Sequence, residues 1–150
     1  MTTLRVDALD YAVDDTRILS DVSLHVEDGE FVALVGPNGS GKSTTLRCAA
    51  GLISPTAGRV TLGGEDLADL DRNEIARRLA VIGQSMPVNF DFSVPEIVEM
   101  GRAPHKGLFE SQNEEDREIV EDALEDVGME DFAEREYGSL SGGEKQRVLI

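Results

Sequence analysis

Phe31-Val-Ala-Leu-Val35 runs directly into Gly36-Pro-Asn-Gly-Ser-Gly-Lys42-Ser43-Thr44, and the order of these residues points to an α/β fold. Five consecutive apolar residues predict a strand covered on both faces, as in a parallel sheet. Lys42 to Ala50 contains no breaker and stops at Gly51, as a helix with a glycine C-cap does. Strand, glycine-rich loop and helix therefore follow one another, and the loop matches G-x-x-x-x-G-K-S/T in the setting that pattern requires. Glycines let a backbone close around phosphate oxygens, and a helix N-terminus adds roughly half a positive charge there. Candidate phosphate-binding residues run through Gly36, Pro37, Asn38, Gly39, Ser40, Gly41, Lys42, Ser43 and Thr44. Lys42 neutralises the outer phosphates, and Ser43 offers the hydroxyl oxygen that a hard Mg²⁺ ion prefers. A dinucleotide-binding loop is the weaker competitor, since it has no need of the lysine. Kinases, GTPases and motor ATPases share such a loop, so it does not by itself define a reaction.

Upstream, Leu4 to Tyr11 and Val22 to Val26 alternate apolar with polar residues, with Asp14-Asp15 and Asp28-Gly29 as turns. Antiparallel strands are expected there. Downstream, Pro55 to Gly58 reads as a turn, Arg59 to Leu62 as a strand and Gly63-Gly64 as another turn. Asp71 with Glu74 opens a helix through Leu79, and Ala80-Val81-Ile82 reads as a second buried strand. The α/β pattern ends near Gln84. Beyond it, Ser93 and Glu96 form a capping box that tolerates Pro95, and Met100-Gly101 closes that helix. A further helix from Glu114 to Val127 carries Ile119, Val120, Ala123, Leu124 and Val127 on one stripe with carboxylates opposite. Residues 1–84 are thus expected to form an α/β core with an antiparallel β subdomain, and residues 85–150 an α-helical subdomain.

Leu140-Ser141-Gly142-Gly143-Glu144 opens a last helix. On its residues alone, Ser141 with Glu144 is equally well a capping box around two glycines. Ser141 follows Lys42 by 99 residues. With that placement the sequence resembles the ATP-binding-cassette family of transport ATPases over its whole length. The resemblance implies a P-loop ATPase core and an LSGGE-type signature at Ser141, Gly142 and Gly143. Gln84, otherwise a polar residue at a strand end, matches the family's glutamine, which implies a contact with Mg²⁺ and the attacking water. Tyr11, otherwise an ordinary edge-strand residue, matches the aromatic residue that stacks on adenine, an interaction worth roughly 1 to 3 kcal/mol for any base. ATP and Mg²⁺ are the implied ligands. A second ATPase subunit in a head-to-tail homodimer and membrane permease subunits are the implied partners, with a substrate-binding protein if the system imports. The stretch Glu99-Met-Gly-Arg-Ala-Pro-His105 to Leu108-Phe109 is similar to importers of iron chelates, haem and cobalamin. His105 and His25 are expected to be surface residues rather than metal ligands.

The family's apolar strand ending in Asp-Glu and its switch histidine do not occur after the signature. The 150 residues are therefore expected to be a truncated piece that binds nucleotide weakly and does not turn it over. A soluble cassette ATPase of DNA repair or translation is the alternative, disfavoured by the charge and by the lack of a long insert between Gln84 and Ser141. A non-hydrolysing nucleotide-binding module is a third.

Thirty acidic against 14 basic side chains give a net charge of −16, which repels nucleic-acid phosphates and anionic lipid headgroups. No nucleic-acid partner is expected. Cys48 is the one cysteine, so it has no internal disulfide partner and fits helix packing in a reducing compartment. No apolar run is long enough to span a membrane, so a cytoplasmic protein held at the inner membrane face through a permease is expected. Only three lysines are present, Lys42, Lys106 and Lys145, on an otherwise carboxylate-rich chain. Such a surface self-repels until salt screens it, and at about 1 M the Debye length falls to roughly 3 Å. A salt-adapted protein is expected, whose melting temperature climbs by several degrees between about 0.1 and about 3 M KCl. A flat response rules the adaptation out.

Overall fold

The computed structural model describes residues 3–83, 92–107 and 113–150. The chain divides into two compact units, 1–79 and 80–150.

In the first unit, β1 (Leu4–Val13) and β2 (Thr16–Val26) form an antiparallel hairpin that turns at Asp14-Asp15. β3 (Ala57–Leu62) pairs with the other edge of β1, and β4 (Glu65–Asp66) closes a four-stranded sheet ordered β2-β1-β3-β4. The expected antiparallel strands are present, and β2 begins earlier than its alternation suggests. Val6, Leu9, Leu19, Val60 and Leu62 are buried on one face of this sheet. Helix α1 (Lys42–Ala49) adds Cys48 and Ala49 to the same core, and burial pushes the Cys48 thiol up from its ordinary pKa. Its C-terminus is closed by Leu52 N–H to Arg47 C=O at 2.9 Å and Gly51 N–H to Cys48 C=O at 3.0 Å. That is the paired bond of a Schellman cap, as Gly51 foretold.

Strict period two would not bury both Val6 and Leu9. A register shift between them, with Ala8 at φ 48°, inserts one residue and turns Leu9 inward. The Ala8 amide donates instead to Ser23 Oγ at 2.9 Å. Gly58 faces this bulge at φ 82°, where a Cβ would lie 2.3 Å from Ala8 O. Only glycine fits there.

Two expected strands are not formed. Phe31 to Val35 lies in no sheet, and Phe31 and Val35 are each 92% exposed. Ala80 to Ile82 in the second unit is likewise outside any ladder, with Val81 and Ile82 exposed. A wholly apolar run becomes a parallel strand only when a neighbour completes its ladder and layers cover both faces. Among the described residues no strand lies beside either run. Helix α2 (Arg72–Ala76) also ends before Leu79, although its Asp71–Glu74 capping box is complete.

The second unit packs α3 (Val94–Glu99), α4 (Glu114–Asp126) and α5 (Gly142–Val148) around Val94, Ile97, Val120, Leu124, Met129, Tyr137, Leu140 and Val148. Val94 N–H to Arg135 C=O and Tyr137 N–H to Phe92 C=O, at 3.0 and 2.8 Å, tie the start of α3 to the segment before α5. Of the predicted stripe of α4, Val120, Leu124 and Val127 face this core while Ile119 and Ala123 are half-buried, and Asp116 is buried with it rather than lying among the solvated carboxylates. Among the described residues no helix is long and apolar enough to cross a membrane.

Gly58→Ala is expected to lower stability by about 2 to 3 kcal/mol, since the methyl group both strains a positive φ and strikes the Ala8 carbonyl. Gly29→Ala, at φ 73° with nothing within 4 Å of its Cβ, is the control and loses less. Urea midpoints measure both, and equal midpoints contradict the bulge-clearance argument.

Candidate functional site: an open helix N-terminus in a glycine loop

The loop from Gly36 to Gly41 is shaped by two close approaches. Gly41, at φ 87°, is the N-cap of α1, and a Cβ there would lie 2.5 Å from Leu19 Cδ2 and 3.3 Å from Ile18 O. The β hairpin therefore presses directly under the start of the helix, which any side chain at residue 41 would lift away. At the other end, a Cβ on Gly36 would meet Ser40 Oγ at 2.9 Å. Thr45, buried one turn in, donates its hydroxyl to Gly41 O at 3.1 Å and its amide to the same oxygen at 2.8 Å.

Lys42 folds back over the loop. Its Nζ donates to Gly36 O at 2.8 Å and Pro37 O at 2.7 Å, and lies 3.4 Å from Ser40 Oγ. The ammonium therefore stands at the mouth of the loop with no carboxylate paired to it among the described residues. Ser43 is exposed beside it, a free hydroxyl oxygen of the kind Mg²⁺ takes. Thr44 is half-buried on the following position.

A comparison among the helices gives this geometry its meaning. α2, α3, α4 and α5 each carry a complete capping box, with Asp71, Ser93, Asn113 and Ser141 accepting from the N3 amide. α1 has no side-chain cap and no acidic residue in its first turn. The leading amides of an α-helix have no intrahelical acceptor. A chain with 30 acidic residues thus supplies a side-chain oxygen to four of the five α-helices among the described residues and withholds it from α1. Uncapped amides, the helix dipole and the Lys42 ammonium lie together at the loop, a combination that favours negative charge.

Tyr11 lies on β1 opposite Leu19 and is partly buried against the sheet core. Leu19 is the residue that packs under Gly41, so Tyr11, Leu19 and the loop form one supported group. Gln84 and the segment Leu108-Phe109 lie outside the described residues. His25 and His105 are both exposed.

The Ser141-Gly142-Gly143 segment belongs to the second unit. Ser141 is the N-cap of α5, its amide donating to Glu144 Oε2 at 2.7 Å and its Oγ accepting from the Glu144 amide at 3.4 Å. The Ser141 side chain, and then its backbone amide, hold the Glu144 carboxyl below the usual carboxylate range. Gly142 and Gly143 have nothing within 4 Å of where a Cβ would stand, so their backbone is open to approach. Lys145 braces the preceding turn, donating from Nζ to Gly138 O at 3.0 Å and standing 5.6 Å over the Tyr137 ring.

Sequence reasoning passed over three contributors. Thr45 reads as one more helix residue, although its position four after Gly41 lets the hydroxyl reach that carbonyl. Leu19 and Ile18 precede the Val22 to Val26 alternation from which a strand is expected, and nothing local in the sequence announces that they lie under the loop.

Comparison with known proteins agrees with this geometry. The family model described as "ABC transporter" matches residues 19–150. The chain is 47% identical over 148 residues to the cobalamin import ATP-binding protein BtuD of Halobacterium salinarum, covering 99% of this chain and 37% of that protein. It is 44% identical to the hemin import ATP-binding protein HmuV of Pseudomonas entomophila, covering 98% of this chain and 56% of that protein. Among solved structures, a nucleotide-free ATP-binding cassette from an ABC transporter superposes with a TM-score of 0.84 at 26% identity, covering 99% of this chain and 65% of that one. The chain thus spans between a third and somewhat over half of the two curated relatives. The α/β architecture with an antiparallel sheet and a helical unit is that of an ABC ATPase domain, and the chain belongs to the ABC transporter family.

Proposed function

We propose that this chain is the ATP-binding part of a subunit that energises an importer for cobalamin, haem or an iron chelate. The observation that carries the reading is the uncapped N-terminus of α1 under the Lys42 ammonium. Residues 1–84 constitute the nucleotide-binding core with its β subdomain, and residues 85–150 the helical subdomain ending in the signature segment.

In this reading the amides from Gly39 to Thr44 take the β- and γ-phosphate oxygens, and Lys42 exchanges its two loop carbonyls for phosphate. Charge-assisted bonds to phosphate are stronger than the neutral-carbonyl bonds they replace. Tyr11 offers a ring face to the base. Ser43 and Gln84 would hold Mg²⁺, which when bound neutralises phosphate charge and helps to orient water. Ser141, Gly142 and Gly143 present open backbone to the γ-phosphate held by a second copy arranged head to tail, which completes a site that one copy leaves half built. A membrane permease couples the closing and opening of that dimer to transport, with a substrate-binding protein delivering cargo, and places the subunit at the cytoplasmic face of the membrane. The importer class rests on the names of the relatives, and the acidity of the chain fits the salt-adapted character proposed above.

Calorimetry with Mg-ATP tests the core of the reading. Lys42→Ala is expected to weaken binding by at least about tenfold, a loss of roughly 1.4 kcal/mol or more. Equal affinity, or no heat from the full-length wild-type protein, overturns it. The 150 residues alone are expected to bind weakly and release no phosphate, and steady-state release above background contradicts that. Gly143→Asp adds a carboxylate where the structure has room for one. In the full-length protein it is expected to leave nucleotide binding by the single subunit intact while abolishing ATP-dependent dimerisation on light scattering. Undiminished dimerisation removes the signature from the proposed site.

A further inference from the structure

Asp116 is the one carboxylate of α4 that faces inward, four residues before Val120 and eight before Leu124 on the buried stripe. Its side chain is 5% exposed. Arg102 Nε lies 3.1 Å from Oδ1, and Lys106 Nζ lies 3.2 Å from Oδ2. Lys106 also reaches Glu99 Oε1, the last residue of α3, at 2.9 Å. Asn113 N–H closes the remaining side of the carboxylate at 3.4 Å. Met100–His105, a 3₁₀ helical turn that runs on from α3 and ends at Lys106, is thereby joined to α4 through Asp116 and back to Glu99 of α3.

We infer that Asp116 is the hub of a salt-shielded clasp, in which Arg102 and Lys106 fasten the 100–106 turn to α3 and α4 under ionic conditions that dissolve the surface ion pairs. The remaining ion pairs among the described residues are of another kind. Arg5 and Arg59 on Asp7 are 64% and 66% exposed, and the Arg78–Glu65 pair is 40% and 56% exposed. Mobile ions reach such groups, and at about 1 M salt the screening length falls to roughly 3 Å, comparable to the charge separation itself. Arg102 and Lys106 are only 24% and 16% exposed, and the carboxylate between them is nearly closed off. Burial works to raise the Asp116 carboxyl, yet the bonds from Arg102, Lys106 and the Asn113 amide outweigh it and hold the group below the usual carboxylate range. Burying such a cluster brings little net stability, but removing one member strands the others. The cluster therefore acts to define one position for the turn rather than to strengthen the unit.

Amide hydrogen exchange on the full-length protein, corrected with matched unstructured peptides, reads the clasp directly. In the wild type, exchange of residues 100–106 is expected to change less than about twofold between about 0.2 and about 3 M KCl. Asp116→Asn and Arg102→Gln are each expected to accelerate those amides by about tenfold or more at both salt concentrations, with residues 42–49 of α1 unaffected. Asp116→Asn also alters the Asn113 capping box, so Arg102→Gln, which leaves that box whole, carries the test if the former fails to fold. Salt-driven acceleration of the wild-type turn to the level of the variants overturns the clasp, and so does unchanged exchange in Arg102→Gln.

Discussion

The leading amides of α1 are the constraint from which the first unit is organised. They cannot be satisfied within the helix, and burying them unsatisfied would cost about 1 to 3 kcal/mol each. Elsewhere the chain resolves this problem locally with a side chain three residues upstream of the amide it caps. At α1 the N-cap is a glycine in a left-handed conformation, held close against Leu19, with no atom to offer. The amides are kept in solvent and aimed at the loop mouth, and the structure maintains that exposure through the hairpin beneath Gly41 and the Thr45 hydroxyl that fixes its carbonyl.

A net charge of −16 on a protein proposed to take a polyanion poses an apparent conflict, and distance resolves it. The global field is screened within about 8 Å at physiological ionic strength and more closely still in brine. The loop works at hydrogen-bond distance, as the 2.7 and 2.8 Å contacts of Lys42 indicate. Excluding acidic residues from the first turn of α1 is therefore sufficient to keep the site locally positive. Burial, rather than range, distinguishes Asp116 and its two cations from the exposed ion pairs.

Much of this was legible in the sequence because the signals are local. The Gly36 to Ser43 pattern, the capping boxes at Asp71, Ser93 and Ser141, and the turn at Asp14-Asp15 each depend on residues a few positions apart. The α4 stripe was legible for the same reason, and Asp116 could have been recognised by its spacing from Val120 and Leu124, with Arg102 and Lys106 as the cations available to accompany it indoors. The bulge at Ala8 was not legible, since it depends on Gly58 and Ser23 arriving from other strands. Phe31 to Val35 and Ala80 to Ile82 show the limit most plainly. Their composition states what environment they suit, but a parallel strand exists only with a neighbour, and composition cannot supply one.

The glycines of the two motifs serve opposite ends by the same means. Gly41 is required because a side chain would collide with Leu19, so its role is to bring the hairpin and helix together. Gly142 and Gly143 have empty space where a side chain would stand, so nothing in the fold of the second unit requires them. A residue type that lowers helix stability by roughly 1 kcal/mol relative to alanine, placed twice in the first turn of α5 without a packing reason, fits the proposed approach of a phosphate to this backbone from outside. Ser141 and Glu144 already satisfy the capping requirement, which leaves the glycines as the part of the motif that capping does not account for. The capping box and the signature are therefore complementary: the box holds the turn in place, and the glycines keep its outer face clear.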